Sequence, residues 1–249
     1  MANVMIASRT FLLLLAGSIA ALPAAADPLA DLRDVLHRYP AKAPFAATVQ
    51  VSGDTQGAGA RNAATAFEVE DGPGGLNIHV PPTALAAAEA EAEKKKRDPE
   101  SLTPTRTAMV ALTVFDVIDA LDAAAMLLDS LNGATLLEQK ASTRDGKPAM
   151  LLRIKVKPTL ALTRGRFVNE PEVELRVWID ANGVPVAAER DSNYSASVLF
   201  LKAGNVRKEQ WKFAVFGDRL YASRNEQDDR ASALGKSVVT SRSVTYSPR

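Results

Sequence analysis

The chain has 249 residues and no cysteine, so neither disulfides nor thiolate-bound metal hold it together, and its length allows one core to close without cross-links. A formal net charge of +1 offers no overall attraction to nucleic acid. The charge is unevenly divided: residues 27–139 hold 9 basic and 17 acidic side chains, residues 140–249 hold 20 and 12. That division predicts an acidic helical part set against a basic sheet part, or a basic surface that meets an anionic partner.

The first 26 residues read as a secretory signal. Arg9 precedes the apolar run Phe11 to Leu22, Pro23 breaks it, and Ala24-Ala25-Ala26 supplies the small residues of a cleavage site. The run is shorter than the ~20 residues that cross a bilayer. Leu15-Ala16-Gly17-Ser18 has the outline of a lipidation motif, with serine where the acylated cysteine would stand. An exported, cysteine-free, alanine-rich chain is expected in the bacterial periplasm, soluble and not lipidated, and as a monomer.

Asp27-Pro28 marks a helix start, and Leu29, Leu32, Val35, Leu36 and Tyr39 follow at helical spacing until Pro40. Three strands come next. Phe45, Ala47, Val49 and Val51 alternate with small or polar residues. AFEVE resumes the alternation over 66–70, and Leu76, Ile78 and Val80 face one side after a glycine-rich turn. Pro81-Pro82 ends the sheet pattern. ALAAAEAEAEKKKR (84–97) predicts a solvated helix with Glu91/Lys95 and Glu93/Arg97 pairs, and DPESLTPTR reads as a linker. Thr113 and Asp116 form a capping box ahead of an apolar stripe of Val114, Phe115, Ile118 and Leu121. A further short helix runs from Asp122 through Met126, Leu127, Leu128 and Leu131 to Asn132-Gly133.

From Ala134 onward strands and turns follow closely, which predicts an antiparallel meander. In VELRVWID, Val173, Leu175, Val177 and Ile179 point one way and Glu174, Arg176 and Trp178 the other, with Asn182-Gly183 reversing the chain at positive φ. In LRIKVKP, Arg153, Lys155 and Lys157 share a face opposite Leu152, Ile154 and Val156, and Arg164 and Arg166 follow. This stripe is either edge protection and solubility or a face for an anionic partner. Trp211, Phe213 and Val215 alternate in QWKFAVF, with Phe200 in the neighbouring hairpin.

Catalytic signals are weak. The two histidines, His37 and His79, have no cysteines to complete a zinc set, and no G-x-S-x-G occurs. Gly235-Lys236-Ser237 imitates the end of a phosphate loop, but Arg230 stands where its first glycine belongs. Glu68/Glu70 and Glu172/Glu174 are same-face carboxylates on strands, which read as solvated faces. No catalytic residue, metal site or cofactor is expected.

Taken together, the elements resemble those of the periplasmic lipoprotein-carrier superfamily, which includes outer-membrane lipoprotein-sorting carriers and envelope-stress sensor domains. ELRVWIDANGVPVAAERD and KEQWKFAVFGDRLYASR are similar to that family's late strands, and the resemblance covers most of 27–249. The charged segment 84–107 is longer than the family's usual connection. The resemblance implies a single α+β domain over 27–249: a curled antiparallel sheet, an unclosed half-barrel, with an N-terminal helix and inserted helices over its concave face, the helical, charged insertion lying at about 83–132. It implies a non-enzymatic protein that binds or carries an acyl chain, lipid or lipoprotein in an apolar trough. Phe115, Ile118, Met126 and Leu127 would plug the trough or swing aside, above Leu175, Val177, Trp211 and Phe213 of the sheet. The alternative is an envelope chaperone or sensor that works through the basic face of Arg153, Lys155 and Lys157, or through a strand edge, with an anionic membrane surface as one such partner.

Overall fold

A computed structural model describes residues 27–56, 60–157, 172–198, 201–233 and 236–249. The leader-like segment, Arg164, Arg166, Phe200 and Gly235 lie outside the described residues. Helix α1 (Pro28–Leu36) is capped by Asp27, whose carboxylate accepts from the Leu29 amide at 3.0 Å, and it buries Leu29, Leu32, Val35 and Leu36. The strands β1 (Phe45–Gln56), β2 (Ala60–Gly72) and β3 (Gly75–His79) follow where the alternation predicts, with β1 and β2 running on into the glycine-rich stretch between them. Four helices come next: α2 (Pro82–Arg97), α3 (Pro104–Ala111), α4 (Val114–Leu121) and α5 (Ala123–Ser130). The chain then runs through β4 (Thr135–Arg144), β5 (Lys147–Lys155), β6 (Glu172–Ile179), β7 (Pro185–Val198), β8 (Leu201–Phe216), β9 (Arg219–Ala233) and β10 (Lys236–Pro248).

All ten strands form one curled antiparallel sheet, ordered β3-β2-β1-β10-β9-β8-β7-β6-β5-β4, that does not close into a barrel. The architecture is the α+β one expected. The last strand returns to pair with the first, Val51 opposite Val244 and Val49 opposite Tyr246. One apolar core joins α1, α3, α4 and α5 to one face of the sheet, from Ala47 and Phe67 through Leu220 and Trp211 to Leu152.

The turns at one end are tight. Asp145 and Gly146 are both left-handed, φ 51° and 77°, the pairing a two-residue hairpin needs. At the next turn only Gly183 has positive φ, 80°, so Asn182 does not share the role expected of it. The Asp180 carboxylate organises that loop instead, accepting from the Asn182 and Val184 amides at 2.8 and 2.9 Å. Gly183 also sits under α1, where an added Cβ would lie 3.2 Å from Val35.

Two elements correct the sequence reading. The end of the segment read as a linker is the first turn of α3, where the Glu91 carboxylate on α2 accepts from the Thr105 and Arg106 amides at 2.9 and 3.1 Å. A cap supplied from 14 residues away has no local spacing signal. Trp178, on the side of β6 facing away from the helices, is 93% buried rather than solvated. The Arg144 guanidinium lies 4.4 Å over its ring, and Leu151 and Ala187 complete a small second cluster.

Part of the unequal charge is matched between the two halves of the chain. Arg219 pairs with Asp71 at 2.7 Å, Arg242 with Asp116 at 2.9 Å, Arg153 with Glu138 at 3.1 Å, and Arg249 with Glu68 and Glu70 at 3.2 and 3.3 Å. The asymmetry therefore reflects which strands end up adjacent.

Candidate functional site

Six of the eight residues proposed for the trough are brought together. Met126, Leu127, Leu175, Val177, Trp211 and Phe213 are all buried in the one core, where helix and sheet side chains pack against each other. The other two are not there. Helix α4 turns Val117, Ala120 and Leu121 to the core, leaving Val114, Phe115 and Ile118 on its outward side. Phe115 is 77% exposed, and Val110, near the end of α3, is 79% exposed. Both sides of α4 are apolar, so spacing alone did not choose between them.

Arginines make that choice by holding α4 at both ends. At its start, Thr113 and Asp116 form the capping box the sequence predicts. The Asp116 carboxylate also accepts two hydrogen bonds from Arg242 on β10, both 2.9 Å, while Arg242 donates further to the Ala111 carbonyl and to Gln227 at 2.8 Å. At the other end the fully buried Arg219 donates to the Leu121 carbonyl at 3.0 Å. It also donates to the Ala41 and Ala43 carbonyls at 2.9 and 3.0 Å, and its guanidinium lies 5.3 Å from the Phe45 ring centre. Arg33 adds a third tie, donating to the Leu131 carbonyl at the end of α5. Lifting α4 would take the Leu121 carbonyl from Arg219 and the Asp116 carboxylate from Arg242, leaving buried guanidinium donors under-satisfied.

Titratable groups along α4 follow from these contacts. Burial works to raise Asp116, but hydrogen bonds from Arg242 and Thr113 outweigh it and hold the carboxyl below the ordinary range. Desolvation pushes Asp119 up, opposed by Arg190 and reinforced by Asp116, Glu209 and Asp129. Burial also pushes the Tyr246 hydroxyl up, next to the Asp116 carbonyl. Arg190 and Glu209 pair at 2.7 Å, and Arg207 and Asp229 at 2.7 Å, so the polar row beyond α4 is internally matched.

The basic stripe has the alternation expected, with Leu152 and Ile154 buried and Arg153 and Lys155 on the opposite face. Arg153 is neutralised there. Glu174 takes it in a two-pronged pair at 3.0 Å each, which holds that carboxyl low, and Glu138 adds 3.1 Å, held low by Lys140 first and Arg153 second, while the guanidinium is held firmly charged. Lys155 and Lys157 make no ion pair among the described residues. Of the paired carboxylates, Glu68 and Glu70 bind Arg249 and Glu174 binds Arg153. Among the described residues no three histidine or acidic side chains converge as metal ligands. The most accessible apolar feature of the helical layer is thus the outward side of α4 with its α3 corner.

No family model, curated protein or solved structure matches this chain.

Proposed function

We propose that the chain is a non-enzymatic protein of the bacterial cell envelope that binds a hydrophobic ligand, an acyl chain, lipid or lipoprotein, on the outward side of α4. This reading takes its ligand class from the resemblance to the periplasmic lipoprotein carriers and puts the ligand on the helical layer instead of beneath it. One observation carries this reading: Val114, Phe115 and Ile118 stand in water on a helix fastened to the sheet at both ends, and Val110 on α3 is exposed as well. Exposed apolar side chains grouped on a rigid element mark a binding surface more often than single scattered ones do. Covering a Phe or Ile side chain contributes about 1.5–3 kcal/mol, enough for acyl binding without covalent chemistry. The alternative, a sensor or chaperone acting through the basic face, is weakened because Arg153 is already matched by two carboxylates. Export rests on the leader-like segment, and among the described residues no helix is long and apolar enough to cross a membrane.

The test compares the wild type with the double change Phe115→Ser, Ile118→Ser for lipid retained through purification, read by native mass spectrometry. Both side chains are exposed, so the melting temperature is expected to stay the same while acyl-chain affinity falls at least ~10-fold. Equal lipid retention by the two proteins would remove the α4 surface from consideration.

A further inference from the structure

We propose a second site, on the sheet face turned away from the helices, that takes a single-chain amphiphile with an anionic head. A groove of about 320 Å³ crosses strands β4 to β8 there, lined by Leu137, Lys155, Glu172, Glu174, Val206 and Lys208 among others. Its floor is built from two neighbouring rows of the sheet. Lys155, Glu174, Asp191 and Lys208 are successive cross-strand partners, and Glu172, Asn193 and Val206 form the next row of the same face. Ile154 and Leu175, the next row after Lys155 and Glu174, point into the core, so the groove and the α4 surface lie on opposite sides of the sheet.

A bulge makes the groove apolar. The β4–β5 register slips between Leu136 and Glu138, and the extra residue, Leu137, is left half-exposed at the groove's edge. Val206, 41% exposed, supplies the apolar counterpart on β8. The size is at the lower end for a small-ligand site and suits one aliphatic chain.

Charge selects the head group. Glu174 is committed to Arg153, and Asp191 to Arg176. Lys155 and Lys208 have no ion-pair partner among the described residues, and Glu172 is the one lining carboxylate that also has none, so uncompensated positive charge exceeds negative two to one. The lysines stand three strands apart, about 14 Å at the usual strand spacing, one at each end of the groove. An aliphatic chain lying over Leu137 and Val206 therefore meets an ammonium group at its end. A cationic head finds Glu172 as its one uncommitted counter-charge against two lysines for an anionic head, and an uncharged head gains from neither.

This site does not depend on the α4 reading, and the experiment keeps the two apart by working in the Phe115→Ser, Ile118→Ser background. Calorimetric titration with laurate, monolaurin and dodecyltrimethylammonium is expected to rank laurate tightest. Adding Lys155→Glu and Lys208→Glu is expected to weaken laurate about tenfold. Val206→Asp is expected to weaken laurate and monolaurin alike. Laurate and dodecyltrimethylammonium binding equally, or laurate binding unchanged by the lysine reversals, would overturn the proposal. So would lysine-dependent flotation with phosphatidylglycerol vesicles in the absence of laurate binding, since that would make the face a membrane contact.

Discussion

Arg219→Ala is expected to lower folding stability by about 3 kcal/mol and the Tm by roughly 6–12 °C. The side chain is 2% exposed and meets four groups: the Leu121, Ala41 and Ala43 carbonyls and the Asp71 carboxylate. Removing it leaves a helix-terminal carbonyl and two loop carbonyls without their donor and opens a void beside Phe45. Arg219→Lys is expected to recover only part of the loss, because one ammonium group cannot reproduce a planar fork that reaches in three directions. Equilibrium urea denaturation measures both changes. A loss below about 1 kcal/mol for the alanine variant would show that the C-terminal end of α4 is held by apolar packing alone.

Asp116→Asn is expected to be nearly as damaging at neutral pH, at about 2–3 kcal/mol, since it removes the charge that two Arg242 hydrogen bonds meet. Its pH dependence has a definite sign. The folded-state pKa of Asp116 lies below the ordinary aspartate value of 3.8, so its contribution is fully present above that value and is lost as pH falls through the folded pKa. The wild-type advantage over Asp116→Asn should therefore be level from neutrality down to about pH 5 and shrink below 3.8. Asp119 acts in the opposite sense: its raised pKa favours the folded state below the ordinary value and loses that effect as pH rises. Glu209, Arg190 and Tyr246 face the same helix, so the quantity to follow is the difference between the two proteins at each pH, in which shared contributions largely cancel. An advantage that grows on acidification would rule out the Asp116–Arg242 pair as the N-terminal fastening of α4.

These two arginines change what an inserted helical layer can do. A helix that swings aside must leave its contacts cheaply, and α4 has charged ties at both ends, to β9 and β10. Ligand binding on its outward side needs no such motion. A groove on the opposite sheet face needs none either, which is why both proposed sites can be tested on the folded protein with surface substitutions.

The sequence alone determined the elements whose signal is local. Strand alternation marked Leu152, Ile154, Leu175, Val177 and Trp211 as one buried set, Asp27-Pro28 marked the start of α1, and Thr113 with Asp116 marked the start of α4. Each pattern repeats within two to four residues, so the backbone geometry that uses it is written next to it. Tertiary structure decided the rest. Which side of α4 faces water depends on Arg242, 126 residues from Asp116, and the fastening at its other end on Arg219, 98 residues from Leu121. Helix α3 begins where a carboxylate from α2 happens to reach it, and Trp178 is covered because Arg144 comes from another strand. Whether a lysine is matched or left over depends on which strands are neighbours, and that order is set by pairing between distant segments such as β1 and β10, for which no short stretch of chain carries the information.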